Sequence, residues 1–357
     1  MTTSRSLRLL PASLAVTAVL VAAACGGSSK SPKSSPAPTP TSPAPTSSSS
    51  SAPRPAAPVA TNPLTGIGPV PKTPVISVKI DDTAPGRPQV GINQADIVFV
   101  EAVEGGLTRL AAIFGTHHPA KVGYVRSTRP SDPDLLLQFG KITAAYSGGA
   151  HDSLPLIHRS GLTSWSNDAG AAYYFRAPHA NDHGYINLAL DLAKVARKTH
   201  TPGPHSIGWT FNASDAGLPV LKGTDVRTNV RGSYRVGTPV EFRWDPKLGK
   251  YVRYIDGVRQ VDASGNPVAA TNVVVQFCRV VSHPADTDVN GNPSQFTYTV
   301  GSGSVAVFRH GKRVNGHWSR PKVTDGTHFT LPNGKPLPLV PGNTWVVLAT
   351  NGTPLTG

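Results

Sequence analysis

The sequence predicts an α+β fold: a mixed β-sheet with helices in the N-terminal region, packed on a β-rich C-terminal region. Three observations lead there. Four apolar, β-branched runs lie close together between Val75 and Val125, too close for strict strand–helix alternation, so hairpins within a mixed sheet are expected. Two later stretches, Asp132 to Phe139 and Asn187 to Lys198, carry helix start signals or helical spacing. Beyond residue 205, apolar runs alternate with Asp256-Gly257, Asn290-Gly291, His310-Gly311 and Asn333-Gly334, dipeptides that favour tight hairpins.

The chain begins with a stretch that reads as a secretory leader, residues 1–24. Arg5 and Arg8 form its positive start, and Leu9 to Ala24 form its apolar run. That run is shorter than the ~20 apolar residues of a membrane-spanning helix. Ala22-Ala23-Ala24-Cys25-Gly26 resembles a bacterial lipobox. The resemblance implies cleavage before Cys25, a diacylglyceryl thioether on its sulfur, and further acylation by chains such as palmitate. Residues 25–61 are Ser, Pro, Ala and Thr with few charges, a composition that buries no core and reads as a disordered tether. Its length would hold a folded domain on the order of 100 Å from a membrane, at ~3.1 Å per residue.

Net charge is +14. Such an excess favours phosphate-bearing polymers, lipid headgroups or nucleic acid, and the export signal disfavours nucleic acid. A basic surface that only aids solubility is the other reading. Of the two cysteines, Cys25 is explained by lipidation. Cys278, within Asn272 to Val281, reads as a buried, inert strand thiol.

The expected first domain spans residues 62–205 and holds the polar residues of interest. Val75 to Ile80 reads as a strand that ends in Asp81-Asp82-Thr83 and a Pro85-Gly86 turn. Ala95 to Ala102 reads as a second strand, with Glu101 at its end and Glu104-Gly105-Gly106 turning the chain. Carboxylates at strand ends are a common place for chemistry and an equally common place for Asx turns. Thr108 to Thr116 and Val122 to Val125 are the next strands, carrying Arg109 and leading into Arg126-Ser127-Thr128-Arg129-Pro130. Two arginines and two hydroxyls at a strand exit make an anion cradle, because guanidinium presents a planar fork to phosphate or carboxylate. The same arginines could instead pair internally with Asp82, Glu101 or Glu104.

Asp132 to Phe139 follows as a helix, with Ser131 or Asp132 as cap and Pro133 in the first turn. Ile142 to Tyr146 is a buried strand leading into Ser147-Gly148-Gly149, small residues that allow close backbone approach to a ligand. Tyr173 to Asn187 concentrates polar groups again: Arg176, His179, Asn181, Asp182 and His183. The histidines fit no closed zinc pattern. No cofactor is assigned; Mg²⁺ held by Asp81, Asp82 or Glu101 against a phosphate is the one candidate. No Gly-x-Ser-x-Gly elbow supports a serine triad.

The expected second domain, residues 206–357, is β-rich. Tyr251 to Ile255, Asn272 to Val281, Gln295 to Val300, Val305 to Arg309 and Thr344 to Ala349 read as strands, with Trp244, Trp318 and Trp345 in the core. Asp286-Thr287-Asp288-Val289-Asn290-Gly291 matches half of a calcium loop. Its twelfth position is Thr297 and no helices flank it, so a surface hairpin is expected.

Long motifs then resemble the YerB-like family of bacterial lipoproteins, over nearly all of residues 62–350. They are Pro63-Leu64-Thr65-Gly66, the run from Arg87 to Leu110, Val122 to Pro130, and Phe175-Arg176-Ala177-Pro178-His179. In the second half they are Tyr251 to Asp262, Asn272 to Phe277, Gly301-Ser302-Gly303 and Pro341 to Val346. The resemblance implies a two-part, intimately packed extracytoplasmic module and supplies no reaction.

A weaker likeness, in the order of carboxylates, arginine-bearing strands and Lys141 to Ala150, is to the LytR-CpsA-Psr phosphotransferases. It implies that Arg109, Arg126 and Arg129 neutralise a pyrophosphate while Asp82 or Glu101 holds a metal. Here Arg126 is followed by Ser127, where that family carries an arginine–aspartate pair.

The expectation is therefore a lipoprotein anchored through acylated Cys25 at the outer face of the bacterial cytoplasmic membrane. Its polar cleft would bind an anionic envelope ligand, a lipid-linked or wall glycan phosphate, through Arg109, Arg126, Arg129, Arg176 and His179. Asp82 and Glu101 are the catalytic candidates if the protein is instead a metal-assisted phosphotransferase or hydrolase. A protein-interaction module of the envelope is the third alternative.

Overall fold

The structure is a computed structural model that describes residues 61–177 and 187–357. The expected leader, the expected lipidation site Cys25, the expected tether up to residue 60 and the polar residues His179 to His183 lie outside the described residues. The described residues belong to one compact unit that contains its own core.

In chain order the first region supplies β1 (Ile76–Asp81), β2 (Ile97–Ala102), β3 (Thr108–Phe114) and β4 (Val122–Gly123). Helix α1 (Asp132–Leu136), β5 (Thr143–Tyr146), α2 (Ser153–Ser160) and β6 (Thr163–Ser166) follow. Then come β7 (Tyr174–Arg176), β8 (Leu188–Leu190) and α3 (Leu192–Lys198). The second region supplies β9 (Leu221–Lys222), β10 (Asp225–Val230), β11 (Thr238–Asp245), β12 (Lys250–Ile255), β13 (Val258–Arg259) and β14 (Ala269–Ala270). It continues with β15 (Asn272–Cys278), β16 (Val280–Thr287) and β17 (Pro293–Thr297). It closes with β18 (Gly301–Arg309), β19 (Lys312–Arg320), β20 (His328–Thr330) and β21 (Thr344–Thr350).

The chain is strand-rich, and its main sheet is mixed, as expected. Strands run in the order β20-β19-β18-β15-β21-β2-β3-β1-β5-β6, with β9 on β19. β2 and β3 form a hairpin of the kind the close spacing predicted, β1 pairs antiparallel with the other edge of β3, and β5 and β6 join in parallel. β21 lies parallel between β2 and β15, so strands from both sides of the expected boundary at residue 205 share one sheet. Each of the turn dipeptides Asp256-Gly257, Asn290-Gly291 and His310-Gly311 joins consecutive antiparallel strands. The calcium-like loop is one of these: Asp288 accepts backbone amides of Asn290 and Asn292, a turn rather than an ion cage.

Strand alternation divides the core in two. On β1, β2 and β3 the even-numbered Val78, Ile80, Val98, Val100, Leu110 and Ala112 enter one cluster. A second sheet covers that face through Val226, Val230, Phe242 and Tyr251 of β10, β11 and β12. The odd-numbered Ile97, Phe99, Ala111 and Ile113 enter another cluster, covered by Leu135 and Leu136 of α1 and Ile157 of α2. Trp318 and Trp345 are buried, and Trp244 packs at the margin.

Two expected elements differ. Asn272 to Val281 breaks at Arg279, because β16 leaves the main sheet to pair with β17 alone. Asn187 to Lys198 starts as β8 and turns helical only at Leu192, where the Asp191 side chain accepts the Lys194 amide at 3.0 Å.

Candidate functional site

The site is built at one end of β1, β2 and β3. Register places Asp81 of β1 and Glu101 of β2 on either side of Arg109 of β3. All three are odd-numbered, so they stand on the face that α1 covers, together with Lys79. Charged side chains in strands buried on both faces are uncommon and need partners.

Most of them have partners. Lys79 donates to Asp132 Oδ1 at 2.8 Å and pairs with Glu101. Burial pulls the Lys79 ammonium down to about 8, against the pull of Asp132. Asp132 Oδ2 also accepts the Thr128 hydroxyl at 2.6 Å and the Arg129 amide at 2.7 Å, so this residue at the helix start organises the arginine loop. Asp81 accepts the Thr83 amide and hydroxyl, each at 2.9 Å, the Asx turn that its sequence allowed, and Arg126 Nη1 at 3.1 Å. Arg129 donates twice to Glu104 Oε2, and Ser294 Oγ donates to Glu104 Oε1 at 2.5 Å. Burial acts to raise the Glu104 carboxyl, but Arg129 and Ser294 overcome it and hold it below the usual carboxylate range.

Asp82 belongs elsewhere. It is even-numbered and emerges on the opposite face, against the second sheet. There Arg253 of β12 grips it with a fork, Nη1 and Nη2 each 2.7 Å from one carboxylate oxygen, and the Thr108 hydroxyl adds a bond of 2.6 Å. Burial would raise this carboxyl; the Arg253 fork and Thr108 hold it low instead. Adjacent in sequence, Asp81 and Asp82 therefore do not act as a pair. Among the described residues no three His, Cys, Asp or Glu side chains gather as a metal centre, and Asp81, Asp82 and Glu101 each face a cation. The carboxylates meet basic partners, so this geometry gives Mg²⁺ no open ligand set.

Arg109 differs from its neighbours. It is 4% exposed, yet its Nε and Nη1 have no hydrogen-bond partner among the described residues. Burial first, then the charges of Arg129 and Arg126, pull it down to about 9, with Asp81 and Glu104 opposing. A buried guanidinium with unmet donors is costly, and an incoming anion would relieve both the unmet bonds and the repulsion. Arg126, with its side chain 22% exposed, is the most open member of the group.

The remaining sequence candidates are placed as follows. Arg176 on β7 is exposed and donates to Asn187 Oδ1 at 3.2 Å, in a separate three-stranded sheet with β4 and β8. Gly148 is small because of Asp168: a Cβ there would lie 2.0 Å from Asp168 Oδ2. This close approach is to the protein itself and not to a ligand. Cys278 is buried, and burial pushes its thiol up to about 12, which makes it unreactive. Sequence reasoning missed Lys79, Asp132, Ser294 and Arg253. A lysine inside Val75 to Ile80 and an arginine inside Tyr251 to Ile255 were the available signals.

Comparisons with known proteins agree with this frame. The chain is 32% identical over 283 residues to "Putative lipoprotein YerB" of Bacillus subtilis (strain 168), covering 76% of this chain and 80% of that protein. The crystal structure of YerB protein from Bacillus subtilis superposes with a TM-score of 0.68 at 24% identity, covering 84% of this chain and 100% of that one. That likeness shows a shared fold. Residues 64–203 match the family described as "Protein of unknown function (DUF3048) N-terminal domain", and residues 229–346 match its C-terminal domain. In both of its halves, as its motifs led one to expect, the chain belongs to the DUF3048 family.

Proposed function

We propose that this protein is a lipoprotein, anchored through acylated Cys25 outside the cytoplasmic membrane, that binds a phosphate-bearing anion at Arg109. The anchor rests on the lipobox-like Ala22-Ala23-Ala24-Cys25 and on the name borne by the Bacillus relative. Among the described residues no helix is long and apolar enough to cross a membrane.

The observation that carries the binding role is the buried Arg109 guanidinium with unmet Nε and Nη1 donors beside Arg126 and Arg129. Phosphate suits it because its oxygens accept from several guanidinium forks at once. A lipid-linked or wall glycan phosphate is the ligand class that an anchored envelope protein would meet. The carboxylates hold the arginines in place, and binding needs no metal.

Calorimetric titration of residues 57–357 with inorganic pyrophosphate tests this. Binding is expected without magnesium, and Arg109→Met is expected to weaken it about tenfold or more. Absence of binding, or an Arg109→Met variant that binds as wild type, overturns the assignment. Magnesium-dependent turnover of a pyrophosphate-linked glycan would favour a transferase instead.

A further inference from the structure

A second feature lies in the loop between β10 and β11. A cleft of about 460 Å³ is lined there by Asn229, Arg231, Arg235, Val236 and Thr353, among others. The Arg231 and Arg235 side chains have no ion pair or hydrogen bond among the described residues. Thr353 is 6% exposed, and its hydroxyl is buried without a hydrogen-bond partner. Two cations without partners among the described residues line the cleft.

The rim is apolar. Val236 is 80% exposed, an unusual state for valine. Beside it stands Leu107, 47% exposed. The two loops are locked together: Thr238 Oγ1 donates to the Gly106 carbonyl at 3.0 Å. A Cβ on Gly106 would lie 2.4 Å from the Val236 carbonyl, and Gly106 has φ +73°, so glycine is required there. The β16–β17 hairpin braces the same loop. Its Gln295 accepts the Ser233 amide at 2.7 Å, and its Pro293 carbonyl accepts the Tyr234 hydroxyl at 3.0 Å. The exposed valine is therefore held out by a rigid scaffold rather than by a slack loop.

We propose that this cleft takes the phosphate headgroup of an anionic phospholipid, while Val236 and Leu107 enter the outer edge of the bilayer. Charge complementarity selects this occupant. Unpaired arginines flanking projecting aliphatic side chains match a surface that is anionic at the headgroups and apolar just beneath them. The inference does not rest on the Arg109 site, because vesicle binding and pyrophosphate binding are separate measurements.

Co-sedimentation of residues 57–357 with phosphatidylglycerol vesicles tests it, with phosphatidylcholine vesicles as reference. Preferential binding to phosphatidylglycerol is expected. The R231E/R235E double variant should lower that affinity about tenfold or more, from the reversal of two surface charges. Val236→Asp should weaken it independently, and both variants alter exposed or half-exposed side chains that carry no core. The K322E/K335E variant makes the same change of net charge at exposed lysines elsewhere and should bind within about twofold of wild type. Equal binding to both vesicles overturns the proposal. So does equal loss in K322E/K335E, which would mean adsorption by net charge, or full binding by R231E/R235E.

Discussion

Arg309 and Arg320, in the C-terminal half, and Arg109, in the N-terminal half, are all at least 96% buried, yet they are used differently. The Arg309 guanidinium donates to Asp215 at 2.8 Å and to the carbonyls of Pro338, Asn212 and Ser214. Arg320 donates to the carbonyls of Asp325 and Val323 and to the Thr299 hydroxyl. Burial lowers Arg320 to about 10, with Asp134 and Asp325 opposing. It lowers Arg109 to about 9, with Arg129 adding to the effect. Burial of a charge does not by itself mark a site. What separates Arg309 and Arg320 from Arg109 is saturation: those two staple loops to strands, whereas Arg109 holds donors in reserve.

The largest effect that sharpens this contrast is expected at Arg309. Arg309→Met leaves three carbonyls and one carboxylate oxygen short of a donor, and should lower unfolding free energy by about 3 kcal/mol in urea titration. Arg109→Met should leave stability unchanged or slightly raised, since it removes an unsatisfied buried charge, while pyrophosphate affinity falls by about 2 kcal/mol. A large loss of stability in Arg109→Met would erase the distinction. Next in size is the acid limb. Asp82 and Glu104 titrate below their unfolded values, so the stability they contribute is complete above the ordinary carboxylate range and is lost as pH falls through it. Denaturant midpoints should therefore drop with acidification below about pH 4, less steeply in Asp82→Asn. The smallest effect belongs to Ser294→Ala, which strips one donor from Glu104 and should cost about 1 kcal/mol in thermal unfolding.

Local features of the fold were legible in the sequence. The hairpin dipeptides and the β-branched runs of β1, β2, β3 and β15 speak through near-neighbour patterning, and the structure places strands there. Long-range pairing was not legible. Nothing in the run Thr344 to Ala349 says that it lies between β2 and β15, because a strand buried on both faces carries no alternation to orient it. At the candidate site, Arg109, Arg126 and Arg129 were visible as cations at strand ends. Whether they paired inward or faced a ligand depended on Ser294, Lys79 and Asp132, which only the fold brings near. The sequence sets Asp81 and Asp82 side by side, and the strand's two-residue period sends them to opposite faces.

The central position of β21 bears on the order in which the protein can be made. A chain emerging from N- to C-terminus finishes β2 and β15 long before their shared neighbour arrives. Until Thr344–Thr350 is delivered, both strands present open, apolar edges. The two halves cannot mature one after the other, and a product cut short before residue 344 carries a split sheet that invites proteolysis. The last strand thus acts as a keystone: the sheet that carries Arg109 is joined to its C-terminal half only when that strand is in place.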